Sequence, residues 1–192
     1  YSSVLGYTLI DPAISFSSSD TEAIELTPLS NNSFVAAFCD ESSDDITFAI
    51  YYTNNTVIKS QTDADTNVQN CNGNDNEVSV SAFNSSLFVL AWFDANDTDI
   101  TFGVYNLSGN NISTIADVDT TIGSLSSVSV SAFNSTAFVI GWSDTGTSTS
   151  QNISYSIYDI NANNLVSQKV TDTISNAVLN RGISLSTINS TA

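Results

Sequence analysis

Three kinds of side chain in this sequence have the type and spacing to do chemistry. The first is an asparagine amide followed two residues later by a hydroxyl. The pattern N-x-[ST] occurs at Asn31, Asn54, Asn84, Asn96, Asn106, Asn111, Asn134, Asn152 and Asn189. An amide so placed is the acceptor motif for N-linked sugar, and a sugar-bearing Asn lies on a surface turn. The second is Cys39 with Cys71, the only two thiols of the chain. Outside a cell such a pair closes a disulfide, and in a reducing compartment it stays free. The third is a pair of carboxylate groups, Asp40, Glu41, Asp44 and Asp45, then Asp94, Asp97 and Asp99. Grouped carboxylates on a loop suit Ca²⁺, which takes about six to eight oxygens and accepts amide and backbone carbonyls as well. The spacing matches no complete calcium loop, so Asp40, Asp44, Asp94, Asp97 and Asp99 are calcium candidates weighed against a simpler role as solvated turn caps.

Composition narrows what these groups can do. The 192 residues carry 20 Asp and Glu against three basic side chains, Lys59, Lys169 and Arg181, with no His and no Met, for a net charge of −17. Nucleic acid and anionic lipid need clustered Lys and Arg, so neither is an expected partner. Without His there is no Ser-His-Asp or Cys-His pair, and a single Arg cannot build an arginine cluster for a carboxylate substrate. Two carboxylates can hydrolyse a glycoside, but no pair stands out among twenty. Catalysis and cofactors are therefore not expected. No apolar run reaches the length of a membrane-spanning helix, and the chain opens at Tyr1 without a signal peptide, as a mature or trimmed product does. Charged residues are 12 % of the chain, about half the usual share, and polarity rests on 54 Ser and Thr and 22 Asn.

These residues are positioned by an internal repeat. VSVSAFNSS from Val78 recurs as VSVSAFNST from Val128. A second segment, Phe88 to Trp92, reappears as Phe138 to Trp142 and, earlier, as Phe34 to Phe38, each closed by an Asp two residues on: Asp94, Asp144 and Asp40. A third follows at Ile46–Tyr51, Ile100–Tyr105 and Ile153–Tyr158, and a weaker fourth near Val57-Ile58, Ile112–Ile115 and Leu165–Val170. Each copy thus reads as four short strands joined by Asn-, Asp-, Ser- and Gly-rich turns, an antiparallel meander. The first strand alternates, with Val78, Val80 and Ala82 against Ser79 and Ser81, so it is expected to be half buried. The second is apolar throughout and is expected to be covered on both faces, which makes Trp92 and Trp142 core rather than sugar-stacking platforms. The predicted fold is all-β: tandem four-stranded repeats, propeller-like, with a stacked sandwich array as the alternative.

The copies run over 20–72, 73–122 and 123–173. Residues 1–19 match the third and fourth strands of an earlier partial copy, and 174–192 the first strand of a later one; trimmed or disordered ends are the plainer alternative. Such incomplete ends are expected either of a piece of a longer repeat array or of chains whose open sheets are completed by strand addition from a neighbour. Asn31, Asn84, Asn134 and Asn189 share the turn after the first strand, and Asn54 and Asn106 the turn after the third. That recurrence, more than the count, argues for sugar; turn-forming Asn that carries nothing is the alternative.

The pattern F-V-x-[AG]-W closed by Asp, seen at Phe88 to Trp92 and Phe138 to Trp142, then a strand ending in Tyr105-Asn106 or Tyr158-Asp159, resembles β-propeller-like tandem repeats of large bacterial and archaeal surface proteins. Phe38 stands where the pattern has Trp. The resemblance implies surface-exposed structural or adhesive modules. The resulting expectation is an extracellular or cell-surface glycoprotein, a homopolymeric subunit of a fibre or adhesin stalk. The alternative is a carbohydrate- or protein-binding propeller that uses calcium.

Overall fold

The apolar runs and polar turns fold as three antiparallel meanders. The structure, a computed structural model, describes residues 21–66, 68–69, 71, 78–119, 127–144, 150–175 and 183–186, and all regular structure among them is strand. The first sheet holds β1 (Thr21–Ser30), β2 (Ser33–Asp40), β3 (Asp45–Tyr52) and β4 (Val57–Asp65). The second holds β5 (Val78–Ala82), β6 (Leu87–Asp94), β7 (Asp99–Asn106) and β8 (Ala116–Asp119). The third holds β9 (Val128–Ala132), β10 (Ala137–Asp144), β11 (Ser150–Asp159) and β12 (Asn164–Ser175). Within each sheet the strands lie in chain order, every neighbour antiparallel. The proposed partial copy at 1–19 and most of that at 174–192 lie outside the described residues.

The fourth strand of the second sheet lies later than Ile112–Ile115 predicts. Ser113 turns back on Asn111, whose Oδ1 accepts from the Ser113 backbone at 2.9 Å, while the Ser113 hydroxyl accepts from Val104 N at 3.1 Å. A side chain fills the ladder position that a backbone carbonyl would take, so regular pairing resumes only at Ala116.

Turn geometry recurs with the sequence. Left-handed backbone occurs at Asn55, Gly109 and Ala162 in the turns after the third strands, and at Asp44 and Thr98 in the turns after the second. Asn and Gly adopt this conformation readily. At Gly109 there is a second constraint, because an added Cβ would lie 2.6 Å from Lys59 Cε of the neighbouring sheet.

The continuous apolar character of the second strand has a direct explanation in β6. Phe88, Leu90 and Trp92 pack toward the first sheet, with Val35, Ala37, Phe48 and Ile50. Val89, Ala91 and Phe93 pack toward the third, with Phe138, Ile140 and Trp142. Both tryptophans are completely buried, as expected for core. The two interfaces are built alike: Phe48 meets Phe88 and Tyr105 at 5.3 and 4.9 Å between ring centroids, and Phe102 meets Phe138 and Tyr158 at 5.2 and 4.7 Å. Edge-to-face and tilted pairs at such distances add to the burial of aromatic area. Each indole also donates to the last Asp of the preceding sheet, Trp92 Nε1 to Asp65 at 2.9 Å and Trp142 Nε1 to Asp119 at 3.2 Å.

The first strand corrects the alternation reading. Its Ser face is not exposed: Ser79 and Ser129 retain only 2 % and 7 % of their surface. The first strands of the three sheets lie side by side, and each edge that would present bare N–H groups is met by side chains of the sheet before it. Val130 N donates to Ser79 Oγ at 3.0 Å and Ala132 N to Ser81 Oγ at 3.1 Å. Segment 183–186 continues the series, Ile183 N donating to Ser127 Oγ at 2.9 Å and Leu185 N to Ser129 Oγ at 3.0 Å. Between the first two sheets the same position is filled by Glu25, whose Oε2 accepts from Val80 N at 2.6 Å. Serine alternates with valine here because the strand needs an acceptor on one face and packing on the other.

Candidate functional site

A four-stranded meander puts its first and third turns at one end and its second turn at the other. The chain therefore has two chemically different rims. At the first rim the turns touch: Thr53 N donates to Asn32 O at 2.9 Å and Ile160 N to Thr136 O at 3.0 Å. Asn31, Asn54, Asn84 and Asn134 lie in these turns, Asn106 ends β7 where one of them begins, and Asn111 lies just beyond it. Asn96 lies at the opposite rim and Asn152 in β11 opposite Asp144, at the same end. Asn189 lies outside the described residues.

Three of the rim asparagines share a hydrogen-bonding pattern. Asn84 Oδ1 accepts from Ser86 N and Leu87 N at 2.8 and 3.1 Å, Asn134 Oδ1 from Thr136 N and Ala137 N at 2.8 and 3.0 Å, and Asn54 Oδ1 from Thr56 N at 3.1 Å. These are Asx turns, the reason Asn favours such positions. The carbonyl oxygen is thus used to build the turn.

The opposite rim is acidic. Asp40 and Asp44 flank the turn between β2 and β3, and Asp94, Asp97 and Asp99 that between β6 and β7. Val68 joins the two turns, its N donating to Asp44 O at 2.7 Å and its carbonyl accepting from Ala95 N at 3.0 Å. The Cys39–Cys71 disulfide, with Cα atoms 5.3 Å apart, ties the same connection to β2. Three of the calcium candidates accept hydrogen bonds through their carboxylates. Asp40 Oδ1 accepts from Ser42 N and Oγ, Asp94 Oδ1 from Asn96 N and Asp97 N, and Asp99 Oδ1 from Thr101 Oγ1. Among the described residues no group of three or more carboxylate, thiol or imidazole side chains is arranged to hold a metal.

Crowded acid raises proton affinity here. Burial pushes Asp99 up to about 6, with the carboxylates of Asp117, Asp94 and Asp97 acting in the same direction against the Thr101 hydrogen bond. Asp94 is raised too, chiefly by burial. A carboxyl whose folded pKa exceeds its unfolded value stabilises the fold when protonated, and that contribution is lost as pH rises through the folded value. The melting temperature should therefore be higher at pH 5 than at pH 7.5. Asp99→Asn, which keeps the acceptor for Thr101, should raise it at pH 7.5 and flatten the difference. Thermal scans at the two pH values check this, and a fall in melting temperature of the unaltered chain on acidification would contradict it.

Beside the first strands at the acidic end is a cavity of about 280 Å³, lined by Glu25, Ser79, Ser129 and Ser184 with Val78, Val128 and Ile183 among others. Burial raises Glu25 above the usual carboxylate range, opposed by its bonds to Ser79 and Val80. Glu25 belongs to none of the sequence motifs. The signal that marks it is its place in the repeat, where Ser79 and Ser129 stand in the later copies.

No helix among the described residues is long and apolar enough to cross a membrane. No protein-family model matches the chain, and no curated protein matches it.

Proposed function

We propose that the chain is a non-catalytic structural module of an extracellular, sugar-bearing assembly, a subunit of a surface fibre or adhesin stalk that polymerises head to tail with copies of itself by strand or sheet completion. The observation that carries this reading is the sameness of successive interfaces. First to second and second to third sheet are joined by the same aromatic trio and the same Trp-to-Asp bond, and the first-strand edge is capped at the same position, by Glu25 at one interface and by Ser79 at the other. The third sheet repeats the receiving side. Segment 183–186 bonds to β9 as β9 bonds to β5, Leu185 lies over Gly141, and Asp172 holds opposite Ile153 the register that Asp65 and Asp119 hold opposite Ile46 and Ile100. An interface that does not close on itself generates filaments. Sheets in chain order with first strands innermost favour a propeller-like arrangement, in line with the resemblance to prokaryotic surface repeats. The disulfide and the shortage of basic residues fit an oxidising, protease-exposed surface.

Electron microscopy of native material tests the proposal. Filaments with an axial repeat set by this chain support it, and discrete particles alone overturn it. The cavity at Glu25, Ser79, Ser129 and Ser184 favours a second reading, a monomeric carbohydrate- or protein-binding propeller. Discrete particles whose melting temperature falls by several degrees on chelation would establish that reading in its calcium-dependent form.

A further inference from the structure

We propose that N-linked glycans occupy one rim of this protein, at Asn31, Asn54, Asn84 and Asn134, and that the acidic rim, with Asn96 and Asn152, stays bare. The inference does not rest on polymerisation, since an isolated chain would carry the same sugars.

Attachment requires the side-chain nitrogen. The Nδ2 of Asn attacks the anomeric carbon of a lipid-linked oligosaccharide diphosphate. A C–N bond forms, the C–O bond to the diphosphate breaks with its electron pair leaving on the lipid diphosphate, and the amide nitrogen gives up one proton. The product must then fit the folded protein, because a bulky sugar cannot share a buried or crowded site.

The four rim positions meet that requirement. All four side chains are exposed. At Asn54, Asn84 and Asn134 the Asx turn consumes Oδ1 and holds the amide in a fixed orientation, while Nδ2 has no hydrogen-bond partner among the described residues. At Asn134 the hydroxyl of the motif, Thr136 Oγ1, already donates to the amide oxygen at 2.9 Å. The turns of one sheet touch each other, so sugars there would form a contiguous patch.

The other end differs. Asn96 Oδ1 is held by Gln69 Nε2 at 2.8 Å, in a turn closed by Asp94 and Asp99 and stitched to Val68. Asn152 is half buried in an inner strand, between Asp144 of β10 and Thr173 of β12. At Asn152 a saccharide would disturb strand pairing; Asn96 is an exposed turn residue, and there a saccharide would crowd the Gln69 side chain and the turn's bond to the Val68 connection. A protein sugared on one rim and acidic on the other keeps its sheet faces as the surfaces free to meet another chain.

The test is site mapping on protein isolated from its native source. Enzymatic release in heavy-oxygen water converts each formerly occupied Asn to a mass-labelled Asp, read on chymotryptic peptides. Label at three or more of Asn31, Asn54, Asn84 and Asn134, with none at Asn96 and Asn152, is the expected result. Label at fewer than three of the four, or at either acidic-rim site, overturns the proposal.

Discussion

Trp92→Ala is expected to lower stability by about 3–5 kcal/mol, the range for removing a fully buried large aromatic. The side chain has no solvent exposure and fills the junction of the first and second sheets, where Val35, Phe48 and Phe88 are its neighbours in one apolar cluster. Truncation leaves a cavity and removes the indole N–H that Asp65 Oδ2 accepts at 2.9 Å. Trp92→Phe separates the two contributions. It keeps most of the packing and removes the N–H, and Asp65, being partly exposed, regains water, so the cost should be about 1–2 kcal/mol. The first copy already uses Phe38 at this position, so the strand geometry accepts the smaller ring. In stacked repeats each unit is stabilised mainly by its neighbours. Hydrogen exchange should therefore show the first two sheets losing protection in Trp92→Ala while the interface around Trp142 keeps it. Denaturant midpoints measure the energies, and a loss under about 1 kcal/mol for Trp92→Ala would refute a role for this residue in coupling sheets.

Removing the disulfide by Cys39→Ala with Cys71→Ala should cost a comparable amount. The bond closes a loop with a sequence separation of 32. Loop-closure entropy for that length corresponds to about 3–4 kcal/mol at room temperature. For a chain of this size the melting temperature should fall by roughly 10 °C. The connection the bridge anchors is a structural strap: Val68 is 1 % exposed and joins the two acidic turns through its backbone, and Cys39 and Cys71 are themselves buried in the first core cluster. The double variant should accordingly be cut by protease first in the segment between β4 and β5. Equal melting temperatures for the oxidised protein and the double variant would show that packing alone holds the strap.

Much of this architecture can be read from local pattern. Apolar runs at Phe34, Phe88 and Phe138, closed by Asp and followed by Ile-to-Tyr strands, define second and third strands that the structure reproduces within a residue or two, apart from the longer β11. The buried tryptophans follow from the same pattern, because a strand apolar on both faces has solvent on neither. Cys39 and Cys71 were readable as a pair, since no other thiol competes for either. The rim asparagines were readable as turns because Asn competes for its own backbone in short loops.

Three features were decided by the tertiary fold. The Ser face of the first strands is buried, because strand alternation reports which side chains share a face and not what that face meets; here it meets the unpaired N–H groups of the next sheet. The shift of β8 to Ala116 arose from a Ser113 side chain taking a ladder position, a choice that depends on where Val104 lies in space. The gathering of most N-x-[ST] asparagines at one end, with Asn96 and Asn152 at the other beside the acidic turns, is the third. Sequence sets the order of turns along the chain, and antiparallel pairing, which reverses direction at each turn, assigns alternate turns to opposite ends. Repeat, strand content and disulfide partners were determined by the sequence alone, because each depends on neighbours in the chain or on a unique pairing. The two-faced surface and the cavity lined by Glu25 exist only once distant strands are brought side by side.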